Sequence, residues 1–305
     1  MKNALKIVDL FSGCGGLSLG FQNQGFTICA AYDWWISAIK CYRANFSHPV
    51  MQADLTRVED TVAEIKPYGV DGIIGGPPCQ DFSHAGKRVE SSRAVLTECY
   101  ARIVAGISPR FFIMENVDRA QKSAAYQSAR KIFKDAGYGL TEIVLDASLC
   151  NTPQKRKRFI CYGVKGAEDG FAEKEFVNGL ADKPMTLRDY FGDRLGFEYY
   201  YRHPRNYSRR AVFSIDEPAP TMRGVNRPIP QGYPGNPNDA CPVSDKVHPL
   251  TSKERALIQT FPENFKWVGN KTEVEQMIGN AVPVKLAEFV ARNVQKTLQD
   301  TNERK

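Results

Sequence analysis

The stretch LKIVDLFSGCGG, residues 5–16, decides the fold that we expect for this chain. An apolar run ends there in a glycine-rich turn, and Leu17 and Phe21 follow at the four-residue spacing of one helical face. A strand, a glycine turn and a helix in this order are typical of the first unit of a nucleotide-binding α/β sheet. The dinucleotide fingerprint would need a glycine at Ser18, so nothing in this turn indicates a pyrophosphate.

Later apolar runs extend this pattern into an alternation of strands and helices. Strand candidates lie at 27–32, 70–74, 111–114, 142–145 and 159–164, with stretches long enough for crossover helices between them, such as 123–135. The alternation predicts an α/β fold with a doubly wound, mostly parallel sheet and helices on both faces. Further on, Thr251 and Glu254 fit a capping box, and a C-terminal helix is expected to pack back on the first domain.

The overall composition limits the class of protein. The 305 residues are 42% hydrophobic and 25% charged, which excludes a mainly disordered chain. No run approaches the roughly 20 apolar residues of a membrane span, and the N-terminus lacks the apolar segment of a signal peptide. Eight cysteines without a CxxC pair predict neither a disulfide scaffold nor a metal site, so a cytoplasmic location is expected. The net charge of +7 permits a polyanionic partner without proving one.

Residues 166–246 differ in character from the rest of the chain. They are rich in Pro, Gly, Tyr and Arg and show little periodicity, so we expect a small irregular domain there, with 1–165 plus 247–305 forming the α/β domain. Six arginines concentrate in this part: Arg202, Arg205, Arg209, Arg210, Arg223 and Arg227. Solvated surface charges and a nucleic-acid interface explain them about equally well, since Arg contacts both phosphates and guanine edges.

Acidic residues at predicted strand ends indicate a ligand site. Asp33 follows the glycine turn by about 20 residues, where a carboxylate can hold ribose hydroxyls, and the adjacent Trp34 can stack on a nucleobase. Asp54 and Leu55 follow at the next candidate strand end. Together these residues suit a nucleoside without a diphosphate, a description that S-adenosylmethionine satisfies.

A cysteine and a glutamate follow two other predicted strands. Cys79 ends the rigid loop Gly75-Gly-Pro-Pro78, where it is placed like a nucleophile, and Glu115 follows the strand at 111–114. Loops after parallel strands open on one edge of the sheet, so the two side chains can converge. Each also has an ordinary interpretation, because most free cysteines are buried thiols and a glutamate can be solvated or pair with an arginine.

Two arginines precede the predicted strand at 159–164. Alternate residues of an extended chain point the same way, so Arg156 and Arg158 are expected to share a face. A basic cluster is usually a solvated surface, but its place beside a strand favours a role in a site.

Five sequence blocks together resemble the cytosine-5 DNA methyltransferase family of bacterial restriction–modification systems. The blocks are DLFSGCGG at 9–16, GGPPCQ at 75–80, ENV at 115–117, QKRKR at 154–158 and GNAVP at 279–283. They span the chain from about residue 5 to 295 and leave only 166–246 outside. The resemblance implies a fold of the S-adenosylmethionine-dependent methyltransferase type, with 166–246 as the target-recognition domain.

The resemblance also implies roles for individual residues. The Cys79 thiolate would attack C6 of a cytosine flipped out of duplex DNA, Glu115 would interact with N3, and Arg158 would bind the O2 side with support from Arg156. Residues implied at the S-adenosylmethionine site are Phe11, Ser12, Gly13, Cys14, Gly15, Asp33, Trp34, Asp54, Leu55, Pro78, Asn280 and Val282. Residues implied at the DNA are Ser83, Arg202, Arg205, Arg209, Arg210, Thr221, Arg223 and Arg227.

Three positions depart from the family pattern, and two other functions stay open. Lys253 replaces the usual arginine, Asp81 lies at a variable position, and Val284 replaces a common proline. The alternatives are a non-catalytic nucleic-acid-binding module and a methyltransferase acting on transfer RNA; a dehydrogenase is disfavoured by the missing glycine. As partners we expect duplex DNA and no membrane, a monomer, and a restriction endonuclease that shares the site without contact. The recognised DNA sequence does not follow from the residues.

Overall fold

The computed structural model of the chain describes residues 4–78, 90–206 and 208–303, without the side chains of 90–94 and 300–303. The strands are β1 Lys6–Leu10, β2 Thr27–Asp33, β3 Val50–Gln52, β4 Gly72–Gly75, β5 Phe111–Val117, β6 Tyr138–Asp146, β7 Gln154–Lys155, β8 Lys157–Lys165, β9 Tyr199–Tyr201, β10 Val212–Ser214, β11 Ala219–Pro220 and β12 Val247–Pro249. The α-helices are α1 Gly16–Asn23, α2 Ile36–Arg43, α3 Val58–Ile65, α4 Glu90–Ile107, α5 Ala124–Asp135, α6 Glu173–Asn178, α7 Leu187–Phe191, α8 Ser252–Ile258, α9 Lys271–Asn280 and α10 Val284–Glu303.

A seven-stranded sheet forms the centre of the molecule, in the order β3-β2-β1-β4-β5-β8-β6. The first five strands in this order run parallel, whereas β8 is antiparallel to both of its neighbours. The predicted α/β fold with a mostly parallel sheet is therefore confirmed. Strand β3 lies just before Asp54, where a strand end was expected, but its bounds were not predicted because three residues are too few to show a periodic pattern.

Helices cover both faces of this sheet. Alternate residues of the strands contribute to different apolar clusters, so that Ile7 packs with α1 and α10 while Val8 packs with α4 and α5. The C-terminal helix α10 lies on α1, as predicted. Their contact is close, because a Cβ atom on Gly20 would come within 2.3 Å of the Cβ atom of Ala287.

Two smaller sheets link 166–246 to the rest of the chain. Strand β12 pairs with β9, and β7 pairs with β11. Phe176 of α6 also packs in the same apolar cluster as α10. The division at 165/166 and 246/247 stays a prediction, while these contacts show that the two parts share secondary structure. The Thr251 capping box is present, with both of its hydrogen bonds.

The strand register brings the candidate site residues to one edge of the main sheet. Leu10 pairs with Gly75, and Gly75 pairs with Met114, so β1 and β4 end at the same level while β5 continues three residues further to Val117. Because β8 runs in the opposite direction, its first residues lie at this edge, where Arg158 pairs with Val117. The antiparallel strand therefore delivers a cation to the end of the sheet at which the parallel strands finish.

Candidate active site

A buried ion pair lies where β5 ends. The Oε1 atom of Glu115 accepts a hydrogen bond from Nε of Arg158 at 2.7 Å, and only 10% and 13% of these two side chains are exposed. Burial raises the pKa of the Glu115 carboxyl above its ordinary value, although the guanidinium groups of Arg158 and Arg156 lower it in part. The site thus offers a carboxyl group with an increased tendency to hold a proton, beside a permanent cation.

The loop that leads to Cys79 is held against Glu115. Nδ2 of Asn116 donates a hydrogen bond to the Pro77 carbonyl at 3.0 Å. A Cβ atom on Gly76 would lie 3.1 Å from Oε2 of Glu115, so a larger residue would press on the carboxyl. Cys79 itself lies outside the described residues, as does Ser83, and the convergence of Cys79 with Glu115 stays a prediction.

Arg156 is 1% exposed and contacts the backbone instead of Glu115. Its Nη1 donates to the Met222 carbonyl at 3.0 Å, and its Nη2 donates to the carbonyls of Gly279 and Ala281, also at 3.0 Å. Arg156 and Arg158 therefore use different partners, although strand alternation had led us to expect a shared face. The position of Arg156 suits the supporting role that the resemblance implies.

Asp33 lies at the end of β2 against the glycine turn. Its Oδ2 accepts from the Gly13 amide at 2.8 Å, and its Oδ1 accepts from the Trp35 amide at 2.7 Å. Burial raises the pKa of this carboxyl, and the backbone donors oppose the rise. Each oxygen keeps a further lone pair, so the carboxylate can still accept hydrogen bonds from a ligand.

Trp34 and the pair Asp54–Leu55 border the same edge. The Trp34 side chain is 67% exposed, which leaves its ring available to a ligand. Asp54 is exposed and accepts from the amide and hydroxyl of Thr56 at 3.0 and 2.7 Å, which lowers the pKa of its carboxyl. Leu55 is buried and contributes its side chain to the core.

The other predicted cofactor residues divide between backbone and side-chain positions. Cys14 is buried, with its thiol 3.9 Å from the Met277 carbonyl, so its side chain packs inside the protein. Phe11 has a positive φ of 58°, and Gly15 caps α1 in the left-handed conformation. Asn280 and Pro78 are exposed, whereas Val282 is buried against the glycine turn, its carbonyl 2.3 Å from where a Cβ atom on Gly16 would lie.

Three of the predicted DNA-contacting arginines are engaged within the protein. Arg202 donates to the Thr221 carbonyl at 2.6 Å, and burial lowers its pKa to about 10, with nearby Arg223 adding to the effect. Arg223 donates to the His203 carbonyl. Arg210 donates to Glu217 at 3.0 Å and lies 4.2 Å from the ring centroid of Phe213. In this structure the three side chains therefore hold other parts of the protein in place.

The other three arginines, Arg205, Arg209 and Arg227, are exposed. Arg205 and Arg209 are close enough to Arg223 to lower the pKa of its guanidinium by charge repulsion, after the larger effect of burial. Arg205, Arg209 and Arg223 therefore form a local cluster of like charges within 166–246. Thr221, which donates its hydroxyl to the Lys155 carbonyl at 3.0 Å, lies beside it.

A buried polar network behind the site was not predicted. Gln259 is fully buried and accepts from Nε2 of Gln154 at 2.7 Å. Arg255 pairs with Glu275 in the interior and also donates to the Arg223 carbonyl. Gln154 belongs to a recognised sequence block, but no periodic or spacing signal marks Gln259 or Glu275.

The described part of the chain shows neither a metal-binding cluster nor a membrane-spanning helix. Within residues 4–78, 90–206 and 208–303 no three His, Cys, Asp or Glu side chains form a group that could hold a metal ion. Over the same part of the chain, no helix has both the length and the apolar character needed to cross a membrane.

Comparison with known proteins identifies the family. Residues 5–296 match the family of C-5 cytosine-specific DNA methylases. The chain is 56% identical over 289 residues to the type II methyltransferase M.HindV of Haemophilus influenzae, covering 94% of this chain and 95% of that protein. It is 53% identical over 295 residues to the type II methyltransferase M.HgiDI of Herpetosiphon aurantiacus, covering 96% and 95%.

The fold agrees with these matches. The S. pombe Dnmt2 methyltransferase superposes with a TM-score of 0.72 at 17% identity, covering 98% of this chain and 100% of that structure. The family match includes all five sequence blocks and the edge of the sheet at which Glu115 and Arg158 meet. This protein therefore belongs to the C-5 cytosine-specific DNA methylase family.

Proposed function

We propose that this protein is a type II methyltransferase that flips a cytosine out of duplex DNA and methylates its C5 through a covalent bond to Cys79. Family membership establishes DNA cytosine-5 methylation as the reaction class, with S-adenosylmethionine as the methyl donor. The buried Glu115–Arg158 pair at the strand edge is the observation that supports the finer mechanism most directly. The base must leave the helix because neither side chain can reach it inside a duplex.

The residues at the glycine turn fit this cofactor. The hydroxyl of Ser12 is buried without a hydrogen-bond partner among the described residues, and the Asp33 carboxylate lies beside the turn. Hydroxyl and ammonium groups of a nucleoside bearing an amino acid could satisfy both. The turn at 11–16 has no lysine or arginine that would suit a phosphate. We therefore assign Ser12, Asp33 and Trp34 to the cofactor side of the site.

The cytosine ring needs activation because its C5 is a weak nucleophile. Bond formation between the Cys79 sulfur and C6 moves electron density toward N3 and O2. A protonated Glu115 can donate to N3, which its raised pKa favours, and Arg158 can stabilise the charge at O2. C5 then takes the methyl group as the bond between that methyl and the donor's sulfonium sulfur breaks. The C5 proton leaves to a base, breaking of the Cys79 sulfur–C6 bond restores the ring and frees the thiolate, and N3 returns its proton to Glu115.

We assign DNA contacts first to the three exposed arginines. Arg205, Arg209 and Arg227 have side chains available to phosphates or base edges, whereas Arg202, Arg210 and Arg223 already hold protein groups. Ser83 would contact the phosphate beside the flipped base. The names of the two type II relatives support a role in protecting DNA from a restriction endonuclease that reads the same site. We further propose that this chain acts as a monomer.

Bisulfite sequencing of plasmid DNA from cells that express the protein tests this proposal. We expect one short sequence to be methylated by the wild type and none by Cys79→Ser, which replaces only the nucleophilic sulfur. Methylation by that variant would refute the covalent mechanism. Transfer of tritium from labelled S-adenosylmethionine to duplex DNA, compared with transfer RNA, excludes or supports the RNA alternative.

Trapping the intermediate gives independent evidence. Duplex DNA that carries 5-fluorocytosine at the methylated position should form a stable adduct with the wild type, because fluorine cannot leave as a proton does. Cys79→Ser should form none, and an adduct with that variant would place the nucleophile elsewhere.

A further inference from the structure

Two side chains of the block at 154–158 hold both backbone polar groups of a single residue in 166–246, which we call the recognition part after its proposed role. Oε1 of Gln154 accepts from the Met222 amide at 3.0 Å, and Nη1 of Arg156 donates to the Met222 carbonyl at 3.0 Å. All three residues are buried. Met222 cannot shift without leaving a buried backbone group unsatisfied, which is costly.

The same two side chains also reach the loop that precedes α10. Nη2 of Arg156 donates to the carbonyls of Gly279 and Ala281. Gln154 acts through Gln259, whose Nε2 donates to the Ala281 carbonyl at 3.2 Å and to that of Ile278. Arg156 therefore connects the recognition part to this loop directly, and Gln154 connects the two through Gln259.

Backbone packing joins the two segments directly. A Cβ atom on Gly279 would lie 2.1 Å from the Gly224 amide nitrogen, so the two glycines place backbone against backbone. Arg255 adds a second connection, because it pairs with Glu275 of α9 and donates to the Arg223 carbonyl. The segments 221–226 and 275–282 are thus constrained to move together.

We propose that Arg156 and Gln154 are positioning residues that couple cofactor binding to the order of the recognition segment 221–226. This inference rests on the proposed function and on the role at the cofactor site that the family resemblance implies for Asn280 and Val282. A cofactor that fixes their loop also fixes Met222 and, with it, the neighbouring Thr221 and Arg223 on the DNA side. Because coupling between sites is reciprocal, DNA bound at the recognition segment strengthens cofactor binding by the same factor.

Amide hydrogen exchange of the full chain tests this coupling, with S-adenosylhomocysteine as the probe. In the wild type, saturation with the probe should slow exchange in peptides covering 219–227 by at least about fivefold, the lower end of typical coupling factors. Calorimetry on the same samples measures whether the probe binds. The quantity compared is the ratio of exchange rates with and without the probe. A general loss of stability would affect this ratio across the protein and not only in 219–227.

Two variants and a control assign the effect to residues. Arg156→Lys keeps the charge but cannot span carbonyls on both sides, and Gln154→Met removes the acceptor for the Met222 amide and the donor to Gln259. Both should bind the probe and lose most of the slowing. Arg210→Lys is the matched control, because its contacts with Glu217 and the Val212 carbonyl stay within the recognition part, and it should keep the slowing.

The outcomes separate this inference from the proposed function. No binding of the probe by the wild type would contradict the proposed cofactor site. Binding without slower exchange at 219–227 would overturn the coupling, and this measurement needs no variant to fold. Slowing that survives in the folded variants would overturn the assignment to Arg156 and Gln154; if circular dichroism shows Arg156→Lys unfolded, Gln154→Met decides.

Discussion

Replacing Trp34 with alanine should weaken cofactor binding and leave the stability of the protein nearly unchanged. The side chain is 67% exposed and contributes to none of the buried apolar clusters, so its loss should change the free energy of unfolding by no more than about 0.5 kcal/mol. Stacking of an aromatic side chain on a base contributes about 1–3 kcal/mol. The dissociation constant should therefore rise by roughly 5- to 150-fold.

Calorimetric titration with S-adenosylhomocysteine measures the affinity, and thermal unfolding of the same samples measures the stability. Ile36→Ala is a suitable control, because this side chain lies two residues further on and is 50% exposed. Its affinity should stay within about twofold of the wild type, since an aliphatic side chain at this position has no stacking role to lose. An unchanged dissociation constant for Trp34→Ala would refute adenine stacking, and a large fall in Tm would show that the ring packs in the protein.

Three other changes test the site, the recognition surface and the core. Glu115→Gln should reduce methyl transfer by about 10²- to 10⁴-fold and keep cofactor binding; transfer at the wild-type rate would exclude Glu115 as a proton donor. Alanine should replace each of Arg205, Arg209 and Arg227 in turn, and each variant should either relax the specificity for the methylated sequence or lower the salt slope of duplex binding by about one unit. Arg210→Ala should chiefly lower Tm. Bisulfite sequencing of a random-site library and binding at several salt concentrations distinguish these results. Burial raises the pKa of Asp9 to about 7. The native state therefore keeps a proton that the unfolded state loses above about pH 4, and the free energy of unfolding should fall by up to about 1.4 kcal/mol per pH unit toward pH 7. Asp9→Asn should remove this fall. Urea unfolding at several pH values measures the free energy of unfolding, and an equal pH dependence in both proteins would contradict the prediction.

The strand pattern was predictable because it depends on local sequence. Apolar runs predicted β1, β2, β4, β5, β6 and β8, but the C-terminal end of β5 was predicted too early, and the starts of β6 and β8 were predicted too late. The strand predicted at 111–114 continues to Val117, and the one predicted from 159 begins at Lys157. Both missing pieces contain polar site residues, which end an apolar pattern before the strand itself ends.

The roles of the arginines could not be separated by composition. Six arginines in one segment look alike in the sequence, yet Arg210 folds back on Glu217 while Arg205 is exposed. Which arginine is satisfied internally depends on carbonyls and carboxylates that come from other turns of the chain. The structure therefore narrows the proposed DNA contacts from six arginines to three.

The sequence by itself determined the reaction class, because the five blocks carry the chemistry in residues that are close together along the chain. It also predicted that Glu115 and an arginine of the block at 154–158 would belong to one site. Only the tertiary structure decided that Arg158 is the partner of Glu115, since this depends on the antiparallel direction of β8. The contacts of Arg156 reach 66 residues to Met222 and 123 residues to Gly279. Local periodicity and spacing cannot predict contacts between residues so far apart in the sequence. These contacts form only when the recognition part and the loop before α10 pack against the same side chain.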